Sequence, residues 1–117
     1  MTPTARSLKH LREQGLTADV VERFNSFTRK RHDLFGIIDL IAVGDDGIIG
    51  IQATSRSNVS ARIAKAKAEE RLKVWLKAGG KFSVFGWGKT GAKGKRKTYT
   101  LRQVDLTLDD LNNEGER

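Results

Sequence analysis

Apolar positions change their spacing several times along the chain, and each spacing predicts an element. Leu8 and Leu11 lie on one face of Ala5–Gln14, between a Thr4 cap after Pro3 and a stop at Gly15, and predict a short helix. Val20 and Val21 are the apolar content of a strand over Asp19–Phe24, after which "SFTRKRHDLFG" has no periodicity and reads as a basic loop. Ile37–Val43 and Ile48–Ala53 are rich in β-branched residues and flank "GDDG", whose Asp-Gly end suits a tight reversal, so a hairpin is expected. From Asn58 to Ala78 the period lengthens, with Ala61, Ala64, Ala68, Leu72 and Trp75 three or four apart in steps. That is the pattern of one long amphipathic helix, capped by Ser57 or Asn58 and stopped by Gly79-Gly80. Lys81–Trp87 predicts a further strand, "GKTGAKGKRK" a flexible basic loop, and Thr98–Val104 a last strand. The order αβββαββ predicts an α/β fold, a central mixed sheet flanked by helices. Residues 1–104 form the expected single domain and residues 105–117 an acidic, flexible tail.

Composition narrows the chemistry. With no cysteine among 117 residues, disulfides, thiolates and cysteine-built zinc sites are excluded. No apolar run reaches the ~20 residues that span a bilayer, and the N-terminus lacks the apolar stretch of a signal peptide, so no membrane partner and a cytoplasmic home are expected. The net charge is +8, but five acids and one base lie in residues 105–117, so residues 1–104 stand at +12. A polyanionic partner is expected, nucleic acid above all.

One charge falls where a buried strand is expected. Asp39 lies inside the first arm of the hairpin, thirteen positions before Gln52, and Gln52 shares a face of the second arm with Gly50 and Thr54. A buried carboxylate must be hydrogen-bonded, ion-paired or bound to metal, and pairing of the two arms brings these polar side chains together.

Asp39 followed by Gln52-Ala53-Thr54 resembles the D…(D/E)-x-K signature of the PD-(D/E)XK nuclease superfamily, in particular its archaeal Holliday junction resolvase-like branch. The likeness spans roughly residues 5–104 and implies a restriction-endonuclease-like core, DNA as partner, Mg2+ or Mn2+ as cofactor, and phosphodiester hydrolysis; it also allows a homodimer. It implies metal ligation by Asp39, Gln52 and Ala53, and catalytic roles for Asp39, Gln52, Thr54 and Glu22. Two positions depart from the signature, Gln52 standing for the acid and Thr54 for the lysine. A glutamine oxygen brings no negative charge to a metal, and a threonine cannot act as a cation. The family's further glutamate in the first helix has no counterpart near Thr4–Arg6. Glu22 and Asp33 are the nearest replacements, each also readable as a surface charge, and Lys65 of the long helix is a candidate for the missing lysine.

The basic residues Arg29, Lys30 and Arg31, with Arg56 and Lys65, and Lys89, Lys93, Lys95, Arg96 and Lys97 of the second loop, are the expected phosphate contacts. "GKT" is not a P-loop, because Ser83 occupies the first glycine position. His10 and His32 have no ligand spacing. Trp87 and Tyr99 flank the second basic loop, where stacking on a base competes with packing. The altered signature also fits a nuclease fold that binds DNA without cutting it, and the charge alone fits a small RNA-binding protein.

Overall fold

A computed structural model describes residues 1–115 of the chain. Helix α1 (Pro3–Glu13) is capped by Thr2, whose Oγ1 accepts the Ala5 N–H at 3.1 Å. The cap falls two residues before the expected Thr4 because Pro3 takes the first helical turn, where its missing N–H costs nothing. Strand β1 (Thr17–Val20) follows, and the expected strand over Asp19–Phe24 stops there. Beyond it, β2 (Arg23–Asn25) and β3 (Lys30–His32) pair as a separate exposed ribbon, so the basic segment expected as a loop is partly strand. The Asn25 side chain accepts the Phe27 and Thr28 N–H groups at the ribbon's turn, and Arg29 holds φ 56.

The hairpin is β4 (Leu40–Gly44) with β5 (Gly47–Ser55), in the register Leu40 to Ile51 through Gly44 to Gly47. The first arm starts three residues later than expected. Leu34 and Ile38 exchange backbone hydrogen bonds at 2.8 and 2.9 Å around Phe35 and Gly36, both at positive φ, so the chain turns sharply before it enters the sheet. Ile37 and Ile38 are buried all the same, and that is why they read as strand.

A 3-10 turn at Arg56–Asn58 leads into α2 (Val59–Ala68) and α3 (Glu70–Lys77), two helices where one was expected. They part at Glu69, which is extended (φ −86, ψ 112). Its carboxylate accepts the Arg71 backbone N–H at 2.9 Å and the Nε and Nη2 N–H groups of the Arg71 guanidinium at 3.0 and 2.7 Å, so the break caps the second helix. The inward positions are Val59, Ile63, Ala66 and Leu72; Ala61, Ala64 and Ala68 of the expected stripe are exposed, because burying the larger side chains removes more apolar area from water.

Strands β6 (Lys81–Thr90) and β7 (Thr98–Leu106) are both longer than expected, and Gly88-Lys89-Thr90 lies within β6, leaving residues 91–97 as the basic loop. Residues 105–115 of the expected tail are the end of β7 and α4 (Leu108–Gly115), with Leu106 buried; residues 116 and 117 of that tail lie outside the described residues.

The five-stranded sheet runs β1-β4-β5-β6-β7, antiparallel except for the parallel β5–β6 pair. Helix α1 covers one face over Leu40, Ala42, Ile51 and Phe85. The other face, with Phe82 and Val84, is covered by α2 and α3 through Val59 and Leu72, with Ile38 in the same cluster. This is the expected α/β architecture, the ribbon, the split helix and α4 being additions to it. No described helix is long and apolar enough to cross a membrane.

Candidate metal centre beside a cationic groove

The site begins with an irregularity in the β4–β5 ladder. Leu40 pairs with Ile51, and the Asp39 N–H also donates to the Ile51 carbonyl at 2.8 Å, so two residues of one chain segment face one of the other. This is the pattern of a β-bulge, which re-aims a side chain. Asp39 Oδ2 then accepts the Ala53 N–H at 2.8 Å, taking up a donor that the interrupted ladder leaves over. On the other side, the Asp39 carbonyl accepts the Val21 N–H and holds the segment against the extension of β1.

Gln52 lies beside this carboxylate. Its Nε2 donates to Asp39 Oδ2 at 3.1 Å and to Asp33 Oδ2 at 3.3 Å, while its Oε1 is buried with no hydrogen-bond partner. Glu22, just past the end of β1, completes the group: one oxygen each from Glu22, Asp33 and Asp39 lies within 4.8 Å of the others. Burial is the main cause that pushes the Asp39 carboxyl up to about 8; a hydrogen bond shared with Asp33 and the charge of Asp33 add to it, while the Ala53 N–H and the Gln52 amide pull the other way. Three close carboxylates need a proton or a cation between them, and oxygen donors of this kind suit a hard divalent ion. The Gln52 amide meets them through Nε2, and its unpartnered Oε1 would face them only after the amide turned over. The residues present therefore fit a metal ion, and this cluster could hold one.

Through Asp33 the cluster borders a groove of about 670 Å³, lined by Arg23, Arg31, His32, Asp33, Lys65 and Arg71 among others. Arg31 is tied to Glu22 at 3.0 Å and Arg71 to Glu69, whereas Arg23 and Lys65 have no ion-pair partner among the described residues. The groove thus places two unpaired cations and two paired ones beside Asp33.

Of the residues singled out by sequence, the fold brings together Asp39, Gln52, Ala53 and Glu22; Ala53 enters through its backbone N–H. Thr54 is buried one strand step beyond Gln52 on the same face, and no hydrogen bond joins its hydroxyl to the carboxylates. Asp33, whose first reading from sequence was an ordinary surface charge, is a full member of the cluster. Lys65 lines the groove, as its candidacy for the missing cation requires. Arg31 is the one residue of the Arg29–Arg31 run on the groove wall, while Arg56 and Lys89 meet at a separate cleft and Lys93, Lys95, Arg96 and Lys97 stand exposed in the 91–97 loop. Arg23 and Arg71 were missed: no spacing in the sequence marks them, and only the ribbon and the break at Glu69 carry them to the groove. Comparison of the chain with protein-family models, with curated proteins and with solved structures finds no match.

Proposed function

We propose that this protein is a metal-dependent phosphodiesterase acting on DNA, after the manner of the PD-(D/E)XK nucleases that its Asp39…Gln52-Ala53-Thr54 pattern resembles. The observation that carries the reading is that Asp33, one acid of the Glu22, Asp33 and Asp39 cluster, lines a groove together with Arg23, Lys65 and Arg71. Acids that hold a cation, next to bases that hold phosphate, are what phosphodiester hydrolysis requires. The main-sheet order supports the restriction-endonuclease-like core that the resemblance implies, with the acid on one arm of the hairpin and Gln52 on the other.

In this reading Asp33, Asp39 and Glu22 hold Mg2+ or Mn2+, with Gln52 Oε1 as a neutral oxygen once the amide turns over. Bound there, the ion would supply charge neutralisation at the phosphate. Asp39 must shed its proton to take part, so the affinity of the ion-free protein for metal rises with pH. Arg23 and Lys65 bind the nonbridging oxygens of the phosphate, and Lys65 offers from a helix the positive charge that Thr54 cannot. Arg31, paired with Glu22, orients that acid.

A second reading, a nuclease fold that binds DNA without cutting it, is favoured by one observation. The Gln52 amide already bridges two carboxylates with its N–H groups, doing without a metal part of what a cation would do there. The two readings separate on one experiment, in which wild type and the Gln52→Glu/Thr54→Lys double variant are incubated with duplex, branched and single-stranded DNA in Mg2+, Mn2+ or chelator. Metal-dependent cutting by wild type supports the enzyme. Cutting by the double variant alone supports the non-cutting binder and contradicts the first reading.

A further inference from the structure

The carboxyl ends of β5 and β6, together with the start of α1, enclose a second cleft of about 420 Å³, separate from the groove that holds Asp33. Arg6, Arg56 and Lys89 line it with no acidic residue among the lining, and none of the three has an ion-pair partner among the described residues. Like charges gathered in a concave site repel one another unless an anion joins them.

The walls of this cleft are fixed. The central carbon of the Arg6 guanidinium lies over the Tyr99 ring, 3.5 Å from its centre, a cation–π contact that leaves Arg6 without an acidic partner. Lys89 lies 5.6 Å from the same ring. The Arg56 stem presses on Gly88, where an added Cβ would come within 2.9 Å of it. Trp87 Nε1 donates to Ser7 Oγ at 2.9 Å, and His10 meets the indole edge-on, so that ring is held too. Ser55 and Ser57, their hydroxyls 3.2 Å apart, add neutral donors at the rim.

We infer that this cleft is a phosphate subsite for the nucleic-acid strand, holding a backbone phosphate away from the one at the metal cluster. That the occupant is a strand rests on the proposed function; the anion chemistry of the cleft does not. Ser55 ends β5 three residues beyond Gln52, about 10 Å along the strand and on its opposite face, so a backbone that occupies both sites crosses the carboxyl end of the sheet. Arg6 and Arg56 take the phosphate oxygens through N–H pairs, Lys89 adds a point charge, and Tyr99 acts as a positioning residue that sets the Arg6 plane.

The test is fluorescence anisotropy of a labelled single-stranded oligothymidylate in chelator, where the metal cluster plays no part. The triple variant Arg6→Gln/Arg56→Gln/Lys89→Gln is compared with Lys93→Gln/Lys95→Gln/Lys97→Gln, which removes the same charge from the exposed loop. The cleft variant is expected to weaken binding about tenfold or more and the loop variant about threefold or less. Tyr99→Ala, which removes no charge, is expected to weaken binding as well, and Tyr99→Phe to restore it. Equal losses from the two triple variants, or no effect of Tyr99→Ala, would overturn the subsite. Inorganic phosphate that competes as well as the oligonucleotide, through the same three residues, would overturn a strand as the occupant. Absence of any wild-type binding at low salt would sink the nucleic-acid reading itself, whereas loss of the subsite alone leaves metal-dependent cleavage intact.

Discussion

Asp39 is held in a bulge with its carboxylate on Ala53 and Gln52, and its raised proton affinity makes the ion-free protein respond to pH in a definite direction. Below the ordinary value of 3.8 both folded and unfolded chains keep the proton, and Asp39 adds no slope. Between 3.8 and about 8 the folded chain keeps a proton that the unfolded chain has lost, so this group's contribution to stability falls as pH rises. Above that window the penalty is fully present. Thermal unfolding between pH 5 and 8.5 in chelator should therefore show wild type losing stability relative to Asp39→Asn, and added Mg2+ or Mn2+ should restore wild type at the upper end while leaving the variant unmoved. A wild type whose unfolding temperature ignores both pH and metal would contradict the cluster. Gln52→Glu places a fourth carboxylate in the same space; it should lower stability in chelator and tighten metal binding roughly tenfold by calorimetry, since affinity follows ligand charge. At this scale the sequence was informative about Asp39 and Gln52, because a polar residue in a buried arm has to be satisfied. It offered Glu22 and Asp33 only as the nearest replacements for a missing acid, and both join the cluster, although neither lies at a spacing that a strand or helix would bring to the site.

Elements show the same division. The hairpin, α1 and the last two strands were legible because their apolar period or their Asp-Gly turn is local. The ribbon of β2 and β3 was not, as it is exposed throughout and buries nothing that would impose an alternation. Nor was the break at Glu69, whose carboxylate turns back onto Arg71 in a way that helix periodicity does not record. The seam between β6 and α2 depends on one residue without a side chain. A Cβ on Gly86 would overlap the Val59 side chain and approach the Arg56 backbone at 3.2 Å. Gly86→Ala should destabilise the fold by about 1–3 kcal/mol, the usual range for overpacking, seen as a lower urea midpoint at unchanged slope. Because Arg56 starts the same turn, the variant should also loosen the second cleft. An unaltered midpoint would show that the seam has room to spare.

Across the whole molecule, charge is divided between the acidic end of the chain and a body whose cations line two hollows and one exposed loop. Affinity for duplex DNA should fall steeply with salt, the logarithmic slope growing by about 0.9 for each phosphate contacted. A slope near zero would leave the cations without a polyanion to serve. The direct test of the metal cluster as a catalytic centre is a cleavage assay of wild type and Asp39→Ala side by side, on duplex and branched DNA with Mg2+, Mn2+ or chelator, with binding followed on the same samples. Cleavage by wild type that needs the metal, and that disappears in Asp39→Ala while DNA affinity stays level or rises slightly as a repulsive charge is removed, is the predicted result. Cleavage that survives Asp39→Ala unchanged, or a wild type that cuts nothing with any metal, would contradict it.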